Sequence, residues 1–111
     1  MDRKRVMFVS CVFLPTRREE YRPFVIRFSD GGELRGSVSN KYCYDRDGRR
    51  LNSPALGPVE IEGLVPGIFL GQDPSGEFRM YLPDGEVYLV DPGQVQDVRL
   101  AEGAANVPVQ P

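Results

Sequence analysis

FRMYLPDGEVYLVDPGQVQDVRL, residues 78–100, reads as strand, tight turn, strand, irregular corner and strand. Pro83-Asp84-Gly85 supplies the turn: proline presets φ, aspartate bonds its own backbone, and glycine accepts positive φ. A two-residue Asp84-Gly85 turn would place Pro83 in the ladder, where it has no N–H to give. A three-residue Pro83-Asp84-Gly85 loop avoids this and pairs Leu82 with Glu86 and Met80 with Tyr88. Phe78, Met80, Leu82, Tyr88 and Val90 then share one face, and Tyr81, Val87 and Leu89 share the other. Both faces are apolar, so one of them needs cover from outside the core.

Upstream, residues 6–14 are apolar on both faces, as in a strand covered on both sides. Residues 24–38 read as a hairpin. With Asp30-Gly31-Gly32 as its loop, Ser29 pairs with Glu33, Phe28 with Leu34, Ile26 with Gly36 and Phe24 with Val38. Phe24, Ile26, Phe28, Leu34 and Val38 then face inward, and Arg27 and Arg35 outward; burial of one face holds the register. Residues 39–57 are the least regular, with turn signals at Asp47-Gly48, Asn52, Pro54 and Gly57. Val59 and Ile61 make a short half-buried strand, Val65-Pro66-Gly67 a turn, and Ile68-Phe69-Leu70 another short strand. Residues 1–5 read as a loose basic arm and 101–111 as a disordered tail.

The resulting expectation is an all-β, single-domain barrel or half-open barrel of SH3-like kind. It would have about seven short, mostly antiparallel strands over residues 6–100. The 111 residues suffice for one core without disulfides or metals, and 12 Gly and 10 Pro leave few windows for long helices. Net charge is only −2, but residues 1–55 carry 12 Lys/Arg against 7 Asp/Glu and residues 56–111 carry 2 against 9. Interleaving of strands from the two halves would neutralise that asymmetry; an anionic partner for the basic half would exploit it.

Catalytic chemistry has little to draw on. The chain has no histidine, the commonest acid/base group and metal ligand. Cys11 and Cys43 lack both a C-x-x-C spacing and an activating partner, so no disulfide framework, zinc site or thiol nucleophile is expected. Cys11 reads as a buried small hydrophobe and Cys43 as a loop thiol open to solvent. No phosphate-binding glycine motif occurs. No cofactor, no membrane span and a reducing cytoplasm are the expectations.

Two binding readings remain. The first is a non-catalytic protein-interaction or assembly module, contacting another protein or a second copy through Tyr81, Tyr88, Val87 and Leu89. The alternative is an RNA or nucleotide binder in the basic half. Arg18, Arg22, Arg27, Arg35, Lys41, Arg46, Arg49 and Arg50 would meet phosphate, and Tyr42 and Tyr44 would stack on bases. Arg18-Glu19-Glu20-Tyr21-Arg22 has the R-x-x-x-R form that opens PilZ domains. The second motif of that family, D/N-x-S-x-x-G, is not met, because Asn52-Ser53-Pro54-Ala55-Leu56-Gly57 has the residue types at the wrong spacing. The chain is therefore not placed in that family.

Overall fold

The computed structural model describes residues 5–17, 20–51 and 60–97. Seven antiparallel strands form one curled sheet: β1 (Arg5–Phe13), β2 (Tyr21–Arg27), β3 (Glu33–Ser39), β4 (Ile61–Gln72), β5 (Phe78–Tyr81), β6 (Val87–Val90) and β7 (Val95–Gln96). Their order is β3-β2-β1-β4-β5-β6, and β7 returns to pair with β1. The architecture is the small, half-closed β-barrel expected. Residues 1–4 and 98–111, including most of the expected arm and the whole tail, lie outside the described residues, whereas Arg5 opens β1.

Strand alternation builds the core. Met7, Val9, Cys11 and Phe13 of β1 meet Phe24, Ile26, Leu34, Val38, Val65, Met80, Leu82 and Val90 on the concave face. The last hairpin has the expected register, with Met80 opposite Tyr88 and Phe78 opposite Val90. Leu82 N–H donates to the Glu86 carbonyl, and Gly85 takes φ +87°.

The first hairpin keeps the expected inward set but slips by two residues. Ile26 faces Leu34 and Phe24 faces Gly36. Its loop is Ser29-Asp30-Gly31, closed by Phe28 N–H on the Gly32 carbonyl, with Gly31 rather than Gly32 at positive φ. The Asp30 carboxylate then accepts from Gly32 N–H at 2.8 Å. A two-residue slip preserves side-chain parity, so burial does not distinguish the two registers; the turn decides. The same loop closes at Asp45 with Arg49 and at Asp73 with Glu77.

The expected break at Val65-Pro66-Gly67 is corrected: β4 runs unbroken through it. Leu64 N–H bonds to Tyr44, so the nitrogen at position 66 points to that same edge. Among the described residues no strand partner lies on that edge between the Tyr44–Leu64 bridge and the Ile68–Tyr81 pair, so Pro66 forfeits no ladder bond there. Gly63 is required by contact, because a methyl there would strike the Tyr44 carbonyl and the Phe13 ring.

The outer face of β1 is covered at Phe8, as its two-sided apolarity requires. Tyr44, from the segment after β3, bridges to Leu64 and lays its ring edge-on to Phe8 at 5.2 Å. Charge is interleaved in part, where Arg5 pairs with Asp97 and Arg46 with Glu62 across the two halves. The first three strands are consecutive neighbours, and so are the next three, which leaves a basic and an acidic side to the sheet.

Candidate functional site

On β5 and β6 the alternation divides sharply. Met80, Leu82 and Val90 are fully buried, while Val87 and Leu89 are 50% and 42% exposed. Tyr81, half-buried, lies opposite Val87 and beside Ile68 of β4. Leu70, exposed at 49%, sits in the bulge between Phe69 and Gly71. The sequence reading missed Leu70, although a glycine inside an apolar run is a bulge signal. Gly71 is at φ +133°.

The four expected contact residues therefore separate. Tyr81, Val87 and Leu89 share the convex face. Tyr88 lies on the concave one, as its expected register has it, and so is corrected only as a contact residue: its ring packs on Phe28 and its hydroxyl donates to Asp84 at 2.5 Å. Even parity with Met80 and Val90 puts it there. That hydrogen bond, followed by partial burial, pushes the Tyr88 hydroxyl up to about 12.

β6 is also the last strand of its sheet, with no strand beyond it among the described residues. Glu86 points its peptide groups toward Leu82 of β5, so Val87 and Leu89, one and three residues on, point theirs to the open edge. Around that edge lie Asp84, Glu86 and Asp91, while Arg79, opposite Leu89, is paired with Asp73 at 3.0 Å.

The basic and aromatic cluster disperses. Arg22 is corrected from surface to core: it shares parity with Phe24 and Ile26, is 1% exposed, and donates from Nε to Asn40 Oδ1 at 3.0 Å. Tyr44 is 2% exposed beneath the Phe8 contact, so no base can stack on its ring. Arg35 pairs with Glu33 at 3.2 Å and Arg46 with Glu62 at 2.9 Å. Lys41, Arg49, Arg50 and Arg27 are exposed and Tyr42 is half-buried against the core. Arg18 lies outside the described residues. Of the set, Arg27 and Arg46 line one cleft.

Cys43 is likewise corrected: it is buried, its thiol near the Ser39 carbonyl at 3.7 Å. Burial pushes that thiol up to about 11 against the opposing pull of Arg22 and Arg50. Burial also raises Cys11, with Cys43 adding to it. Among the described residues no three of Cys, Asp and Glu gather as metal ligands, and no helix is long and apolar enough to cross a membrane. The chain matches no family model, no curated protein and no solved structure.

Proposed function

We propose that this domain is a non-catalytic, SH3-like barrel that serves as an assembly module, docking through the convex face of β5 and β6. The observation that carries the reading is the exposure of Val87 and Leu89 beside Tyr81, on strands whose other face buries Met80 and Val90 completely. Surplus apolar surface next to an unpaired strand edge is a template for association. The acidic rim at Asp84, Glu86 and Asp91 asks for a partner with basic character. A second copy offers that character on its β2–β3 side, where Arg27 and Arg35 are exposed. Two buried, unpaired cysteines suit a reducing cytoplasm.

Sedimentation velocity tests the reading. The chain should associate with rising concentration at low ionic strength, and added salt should weaken the association as it screens the two charged sides. Val87→Glu should abolish it while leaving the fold intact. A parent that stays monomeric at low salt would contradict assembly with a second copy. A Val87→Glu chain that associates like the parent would remove the β5–β6 face from the interface.

A further inference from the structure

A second site lies on the same convex surface but on its basic side. β1 pairs with β2 through Val12 and Phe13, and with β7 through Phe8 and Val9. Between them Ser10 and Cys11 have no strand partner on that edge among the described residues, so the barrel wall is split for one rung. Leu14 N–H donates toward β2, at the Pro23 carbonyl. Alternation then turns the N–H and C=O of Val12, Ser10 and Phe8 to the same edge. Ser10 therefore aims both groups into the split. Its register partner on β2 would be Arg27, but the Arg27 carbonyl is taken by the Gln94 side-chain amide.

A cleft of about 230 Å³ opens at this split. Its apolar part is Val12 and Val25, which lie side by side in one rung with Glu62 beyond Val12 and Arg35 beyond Val25. Arg27 and Arg46 line it, as does Glu62. The Arg46–Glu62 pair is largely exposed at both ends, and such pairs contribute little net energy. Arg46 can therefore exchange that carboxylate for another.

We infer that this cleft binds a small organic acid, its carboxylate between Arg27 and Arg46 and its hydrocarbon on Val12 and Val25. A guanidinium fork matches a carboxylate, and Ser10 N–H adds a third donor from the split ladder. The volume is below the usual range for drug-sized ligands, which limits the guest to a few carbons. Glu62 acts as a built-in competitor for Arg46. Removing each charge should thus move affinity in opposite directions.

The test is an amide-shift titration of the full chain with butyrate, and separately with inorganic phosphate. Butyrate should give saturable shifts confined to Ser10, Val12, Arg27 and their neighbours, and should bind more tightly than phosphate. Arg27→Gln should weaken butyrate binding by roughly tenfold, as expected for one charged hydrogen bond. Glu62→Gln should tighten it by roughly threefold, the scale of an exposed ion pair. Both variants change exposed side chains, and their spectra report folding directly. Unsaturated shifts spread over Lys41, Arg49 and Arg50 would overturn the inference, as would phosphate binding at least as tightly, or weaker binding in Glu62→Gln. None of these outcomes tests association through Val87 and Leu89, which Val87→Glu tests separately.

Discussion

The ring of Phe28, at the tip of the first hairpin, stacks on the ring of Tyr88 in β6, with centroids 5.4 Å apart and planes inclined by 19°. The two residues are 60 positions apart in the chain, and no ladder joins their strands. The pair is thus a side-chain closure where the sheet lacks backbone pairing. Aromatic pairs of this kind contribute about 0.5–1.5 kcal/mol beyond their burial.

A double-mutant cycle measures that closure. Phe28→Ala and Tyr88→Ala, taken singly and together in urea unfolding, should show a coupling of about 1 kcal/mol. Tyr88→Phe should keep the coupling, since the hydroxyl turns outward to Asp84. Additive losses would show that the rings are neighbours without holding the barrel shut.

The arginines should split by burial. Arg22→Ala removes a buried side chain held at Asn40 and should cost about 3 kcal/mol or more. Arg35→Ala, whose side chain is largely exposed and paired with Glu33, should stay within about 0.5 kcal/mol of neutral. Equal urea midpoints for the two variants would contradict the placement of Arg22 on the core face.

Stability should fall in alkali. The folded Cys43 thiol keeps its proton up to about 11, against an ordinary value of 9.0, and Cys11 is raised as well. The unfolded chain releases those protons earlier, so the stabilisation is complete below about pH 9 and is lost as the pH rises through about 11. Each thiol contributes about 1.4 kcal/mol per pH unit within its window. Urea midpoints should therefore drop between pH 9 and pH 10.5 (approximate bounds of the readable window), and drop less in Cys43→Ala. A pH-independent parent would show the thiols to be solvated.

Local chemistry made part of this molecule legible. Pro83 cannot give an N–H, which forced the three-residue loop and hence the sidedness of Tyr81, Val87 and Leu89. The first hairpin was ambiguous because Ser29-Asp30-Gly31 and Asp30-Gly31-Gly32 both end on glycine and bury the same side chains. Pro66-Gly67 carries a turn signal that only tertiary pairing overrides, since no described strand pairs with the edge facing the Pro66 nitrogen. The burial of Tyr44 depends on Phe8 and Leu64, which are distant in sequence, and composition alone made it a surface ring. Arg22 was legible in principle: its parity with Phe24 and Ile26 put it inward, while its charge argued for the surface.

Leu89 and Val90 are adjacent in β6, one 42% exposed on the convex face and the other fully buried on the concave face. The most direct measurement is sedimentation velocity on Leu89→Glu and Val90→Glu, with each fold checked by urea unfolding. Leu89→Glu should fold like the parent and sediment as a monomer at concentrations where the parent associates. Val90→Glu should fail to fold, because it buries a charge with no partner. A Leu89→Glu chain that unfolds, or that associates as the parent does, would contradict an interface on this face.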